Sequence, residues 1–158
     1  KELLSLLPRP SHYIGTEEGS VHKEPAVRSP ALAPLPSRIC TKWACPTSDK
    51  NPVYHLNNRE DIFAERVYAP LPGNRQAPPR TRRQLATLES DTDIVKTHMF
   101  AFAITHELCF TNVLYMLELS GIPLRAADRG DDLSLALIVA GGGCAIASEP
   151  LAPFMDLM

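Results

Sequence analysis

"HMFAFAITHELCFTNVLYMLELSG", residues 98–121, decides the fold. Met99 to Ile104 is a continuous apolar run of strand length, as expected of a strand buried on both faces of a sheet. A helix is predicted directly after it, from about His106 to Ser120. Cys109, Val113, Met116, Leu117 and Ser120 fall at i, i+4, i+7, i+8 and i+11, which turns one helical face toward the sheet. Gly121 supplies the C-terminal cap and Pro123 prevents continuation.

The pattern recurs downstream. Leu135 to Ala140 is again wholly apolar and reads as a second strand, followed by Gly141, Gly142 and Gly143. Ser148, Glu149 and Pro150 then open another helix: Ser as cap, Glu at the positive end of the dipole, Pro in the first turn. Strand, helix, strand, helix with apolar strands specifies an α/β fold on a parallel sheet, with the 99–104 and 135–140 strands near its centre.

The first half is less regular. Fifteen prolines, about twice the usual ~5% frequency, concentrate between Pro8 and Pro79. Residues 1–25 divide into a short helix, "KELLSLL", and an extended arm; residues 26–158 form the α/β domain. A short strand fits "AVRSPALA" (26–33), although Pro30 argues against a central position for it. Residues 34–52 carry four prolines and two cysteines, and no regular element is assigned there. "VYHLNNRED" (53–61) holds a short helix or a turn, and Ala64 to Ala69 a short strand. Residues 72–83 are a loop carrying Arg75, Arg80, Arg82 and Arg83.

Composition bounds the function. A chain of 158 residues, 44% apolar and 22% charged, is one globular domain with a core of its own. A net charge of −2 gives no reason to expect nucleic acid. No stretch has the length of a membrane span and no signal peptide opens the sequence, so the expected location is the cytoplasm. Lys1 opens the chain and Met158 lies inside an apolar stretch, the pattern expected of a piece cut from a longer protein.

The chemistry centres on the glycines. A dinucleotide fingerprint requires G-x-G-x-x-G; Gly141 and Gly143 fit, but the third position is Ile146, and the helix begins too late to hold a phosphate at Gly143. The glycines still lie at the carboxyl end of a strand, where open α/β sheets place ligands. Contact with a ligand and a plain tight turn both satisfy them. His106 and Glu107 begin an H-E-x-x-H motif whose second histidine position is Phe110, so that zinc reading fails. Cys40 and Cys45 read as free thiols, since a zinc site there would need distant histidines. Cys109 reads as a buried thiol on the inner face of its helix. "RAADRGDD" (125–132) reads as a solvated charged turn. Taken alone, these residues describe a binding or scaffold domain rather than a self-sufficient enzyme.

Four segments in order, "RPSHYIGTEEGSV" (9–21), "REDIFAERVYAP" (59–70), "ELCFTNVLYMLELSGIPLRAADR" (107–129) and "VAGGGCAIASEPLAPFMDL" (139–157), resemble the N-terminal, cobalamin-binding-like domain of bacterial radical S-adenosylmethionine (SAM) proteins. The resemblance implies a Rossmann-like, flavodoxin-like parallel sheet with helices on both faces, incomplete at its C-terminus and packed beside a radical SAM barrel. It places the 4Fe–4S cluster, held by C-x-x-x-C-x-x-C, and SAM in that barrel; none of the cysteines here has that spacing. It further implies that the pair Gly141 and Gly142 approaches a cofactor's nucleotide tail, with Gly143 beside them in the candidate site, and that Ala103 takes the place of a small serine facing the ligand. The D-x-H-x-x-G motif of base-off cobalamin domains is missing, and "LPSRICTKWACPTSDKNP" (35–52) stands where the family carries an Asp, Tyr and Gly loop. Three functions follow in order of preference. The first is an accessory domain that packs on the barrel and shapes substrate or cofactor access. The second is a domain binding base-on cobalamin or a nucleotide-like ligand, and the third a stand-alone interaction domain. With Trp43 in the loop, weak or no cobalamin binding is expected.

Overall fold

A computed structural model describes residues 31–36, by their backbone path, and residues 52–59, 62–69, 85–130, 132 and 134–158. The expectations for the N-terminal helix and arm, for Cys40, Trp43 and Cys45, and for the 72–83 loop lie outside the described residues.

The described chain is α/β. Strands β1 (Ala31–Pro36), β2 (Phe63–Ala64), β3 (Met99–Ala103) and β4 (Leu137–Gly141) form one sheet in the order β2-β1-β3-β4. Every pairing is parallel. Helices α1 (Pro52–Asn57), α2 (Phe110–Ser120) and α3 (Ala126–Arg129) lie between them in sequence. The two apolar runs are therefore parallel neighbours joined through α2, as the sequence predicts.

Two positions in the sheet differ from expectation. β1 sits between β2 and β3 despite its prolines. Pro34 and Pro36 are two residues apart, so they withhold their donors from one side of the strand only. β3 pairs along β1 from Leu32 to Pro36, whereas β2 pairs only at Ala31 and Leu32. β4, expected near the centre, closes the four-stranded order. Its outer side is met by the last residues of the chain: Val139 and Leu157 form a parallel bridge, and the Ala140 N–H donates to Leu157 O at 2.9 Å.

Burial follows the strand period rather than the expected two-sided core. Phe100, Phe102 and Ile104 are buried in one core with Val113, Met116 and Leu117 of α2, while Met99, Ala101 and Ala103 are only half-buried. In β4 it is Ile138 and Ala140 that are buried. All five residues expected on the inner helical face, Cys109, Val113, Met116, Leu117 and Ser120, are buried. The core they share continues through Ile94, Ile122, Leu151 and Met155. The helix ends as predicted. Gly121 takes φ 70°, its N–H donates to Glu118 O, and the Ile122 N–H reaches back to Leu117 O at 3.3 Å.

Three boundaries move. The first turn of the predicted 106–120 helix is a 3-10 turn, Glu107–Cys109. Of the 64–69 strand only Ala64 is paired, in β2 with Phe63, because the chain then leaves the sheet to meet the 85–93 hairpin, where the Leu88 N–H donates to Arg66 O at 2.9 Å. The element opened by Glu149 is a 3-10 helix, Glu149–Phe154: Pro150 suits the first turn, but Pro153 lies inside and removes the donor that would bond Glu149 O in an α-helix. Ser148 does not cap it by its side chain: Ser148 Oγ donates to Cys144 O at 2.7 Å.

Candidate functional site

The carboxyl edge of the sheet is where an α/β fold presents its chemistry. Pro36, Ala103 and Gly141 occupy one row across the ends of β1, β3 and β4. The strand order reverses between β1 and β3, beside Ala103. Two of the sequence-predicted site residues, Ala103 and Gly141, are thus brought side by side.

Gly142 has a different duty. The Ile104 N–H donates to Gly141 O at 2.6 Å, and a regular parallel ladder would return the next bond to Ile104 O from Gly143. Instead the Cys144 N–H makes that bond, at 3.0 Å, so one extra residue is looped out. The loop closes on Gly142 at φ 108°, with its Cα against the Ile104 backbone. A Cβ there would lie 2.7 Å from Ile104 O and 3.0 Å from Ile104 N. Only glycine fits. Gly141 and Gly143 carry no such constraint: neither has a positive φ, and a Cβ on either would meet nothing within 4 Å. The opening of the turn is a structural requirement at Gly142, whereas Gly141 and Gly143 leave clear space at the edge.

The structure adds side chains that the sequence reading did not assemble. His106, Glu107 and Cys109 follow β3; Cys144 and Ser148 follow β4. Because the two strands are neighbours, these turns face each other. Cys109 Sγ, buried, lies 3.2 Å from His106 Nδ1 and 3.6 Å from Nε2, against the imidazole between its nitrogens. Cys144 is half-buried. Burial foremost, then the neighbouring Glu107 carboxylate, push the Cys144 thiol above the ordinary 9.0. Both cysteines are thiols. The signal was available in principle: each lies just past a strand end, and parallel neighbouring strands bring their carboxyl-end turns together.

The same two turns each project one aliphatic side chain into solvent. Leu108 is 84% exposed and Ile146 99% exposed. Third-position Ile146, which excluded the dinucleotide motif, is therefore not a packing residue.

Elsewhere polar groups serve the fold. Arg129, read as part of a solvated turn, is buried. Its guanidinium donates to Asp156 Oδ1 at 2.7 and 3.1 Å and to the carbonyls of Pro123, Leu124 and Phe154. Asp156 Oδ2 in turn accepts the Ile138 N–H at 2.7 Å, which fastens the end of the chain to β4. No sequence spacing links residues 27 positions apart. Asp132, from the same turn, accepts the Ser134 N–H and hydroxyl, which lower its pKa. Glu65 is buried just past β2 and accepts from the Thr87 and Ser90 hydroxyls; burial pushes its carboxyl above 4.5. Among the described residues no three of His, Cys, Asp or Glu are grouped to hold a metal ion, and no helix is long and apolar enough to cross a membrane.

Fold and edge together define a small parallel α/β domain. The profile of radical SAM proteins, N-terminal, matches residues 51–158, and the chain belongs to that family. Neither the curated proteins nor the solved structures compared with it gave a match. Three of the four segments that carried the resemblance fall inside the matched range.

Proposed function

We propose that this domain is the accessory N-terminal part of a cytoplasmic radical SAM protein, and that its carboxyl edge packs on the catalytic domain and shapes access to it. Membership of the family implies a radical SAM catalytic domain in the parent chain. The observation that carries the reading is the pair of exposed side chains, Leu108 and Ile146, on adjacent turns of the edge where α/β domains meet their ligands. Large aliphatic groups so exposed at neighbouring turns are the composition of an interface core. The order β2-β1-β3-β4 supports a flavodoxin-like, doubly wound sheet, in which the edge beside Ala103 and Gly141 would face the substrate channel. A photo-crosslinking amino acid placed at Ile146 in the parent chain tests the packing. Adducts to the radical SAM domain support it; adducts to other copies alone refute it.

A second reading is favoured by Gly141 and Gly143, whose missing side chains the fold does not require. Clear space there suits the approach of a flat or nucleotide-like group such as base-on cobalamin, with Ala103 beside it. The described residues offer that group small surfaces but no metal-ligating histidine positioned by a D-x-H-x-x-G loop. Titration with hydroxocobalamin separates the two readings. Saturable micromolar binding lost on Gly143→Val favours the cofactor domain; little or no binding favours the accessory one.

A further inference from the structure

We propose that the second face of the sheet, the one turned away from α2, seats an amphipathic helix supplied by the part of the parent chain that follows residue 158. The inference rests on membership of the family and is independent of what packs on the carboxyl edge.

Alternate residues of a strand point to opposite faces, and register partners in a parallel sheet share one. Phe100, Phe102, Ile138 and Ala140 are buried in the core with α2. The residues between them make a second row that is wholly apolar: Met99 stands beside Leu137, Ala101 beside Val139, and Val139 beside Leu157. This row is poorly covered. Met99, Ala101 and Val139 are half-buried, while Leu137 and Leu157 are 43% and 59% exposed. Parallel sheets are covered on both faces, so adjoining aliphatic residues left open on one of them mark a docking surface.

What is already covered points to the occupant. The chain after β4 places Leu151 and Met155 in the core on the α2 side. Crossovers leave β1 toward β2 in one direction and β3 toward β4 in the other, and their right-handedness sets α1 and α2 on opposite faces. Helix α1 therefore belongs over β1 and β2, where Asn57 bonds the Ala64 backbone. The second face of β3 and β4 is left, and the chain itself arrives beside it. The Asp156 and Leu157 N–H groups donate to Ile138 O, and Leu157 O accepts from the Ala140 N–H, so the backbone already runs parallel to β4 on its outer side. The matched family is the N-terminal part of radical SAM proteins, which puts the catalytic part C-terminal to it. A strand carried on along β4 reaches the carboxyl edge, and a turn of about 2–6 residues returns it as a helix antiparallel to the strands. The α2 side is occupied there, whereas the row from Met99 to Leu157 is open. Apolar residues at i, i+3, i+4 and i+7 of that helix would bury the row.

A photo-crosslinking amino acid at Leu137 or Leu157 of the parent protein tests the seat, with Glu118 on the exposed side of α2 as the control position. Mass spectrometry after digestion should place the Leu137 and Leu157 adducts on one peptide C-terminal to residue 158, at positions three or four apart. Glu118 should not capture that peptide. Adducts to residues 1–30, to a second copy of the chain or to no peptide at all would overturn the proposal, as would equal capture from Glu118. Leu137→Lys gives a second readout. A charge under a seated helix should lower the urea midpoint of the parent protein, and an unchanged midpoint would overturn the proposal as well.

Discussion

Gly142 is pressed against Ile104: the Cβ that any other residue would bring lies 2.7 Å from the Ile104 carbonyl oxygen. The contact occurs where β4 turns away from β3, at a φ of 108° that L-residues rarely adopt. Gly142→Ala should therefore lower stability by about 2 kcal/mol or more, from backbone strain and the contact together. Gly141→Ala and Gly143→Ala should change it by less than about 1 kcal/mol, in either direction. Urea midpoints for the three variants decide the matter. One practical consequence follows: lost ligand binding in a Gly142 variant reports a damaged turn, whereas loss at Gly143 reports the ligand.

Arg129 ties α3 to the segment beside β4 through Asp156, and its side chain is 3% exposed against 21% for its partner. Removing the guanidinium strands three backbone carbonyls and a carboxylate at once. Arg129→Met should cost about 3 kcal/mol of stability. Asp156→Asn keeps an acceptor for the Ile138 N–H and should cost less. Thermal or urea unfolding of the two variants gives the ranking; equal losses would mean that the Asp156 pair, and not the three carbonyls, carries the arginine's contribution.

Glu65 titrates in the opposite sense to a stabilising carboxylate. Burial raises its pKa in the folded chain above the ordinary 4.5, only partly opposed by the Thr87 and Ser90 hydroxyls, and Glu89 raises it further. The folded state holds that proton more tightly than the unfolded state. Stability from this group is thus full below pH ~4.5 and is lost as pH rises through the folded pKa. Glu65→Gln keeps an acceptor for both hydroxyls and removes the ionisation. The variant should be at least as stable as the parent at pH 7.5, with a flatter stability curve from pH 5 to 7.5, as measured by urea unfolding across that range.

Cys144 should alkylate slowly near neutrality. Its thiol is held above 9.0 by burial, by Glu107 and, to a smaller degree, by Cys109. The rate with iodoacetamide should climb with pH and reach its midpoint above that value, since the thiolate is the nucleophile. Glu107→Gln removes one negative charge and should shift the midpoint downward. A midpoint at or below 9.0 in the parent chain, unmoved by Glu107→Gln, would show that the edge does not hold the thiol as described.

Much of the fold was legible because it rests on local pattern. The inner face of α2, its glycine cap, and the parallel pairing of the 99–104 and 135–140 runs follow from spacing and chain connectivity. Other features depend on partners far away in sequence. Arg129 looked solvated because Asp156 is 27 residues on. The 64–69 strand was cut short by contacts with Leu88 and Glu89, which periodicity does not register. The apolar strands suggested burial on both faces, but Ala101 and Ala103 fill too little space to bury the second face, and β4 stands at the end of the described order. At the candidate site the glycines were visible and their division of labour was not. Gly142 is explained by a backbone contact with Ile104 that no sequence pattern records.

The central claim is that the carboxyl edge faces the radical SAM catalytic domain. Hydrogen exchange measured on this chain and on the parent protein, under identical conditions, tests it most directly. The account predicts slower exchange in the parent at residues 104–109 and 142–148, with the 85–97 segment unchanged. Equal exchange at both edge turns, or protection confined to the 85–97 segment, would contradict it.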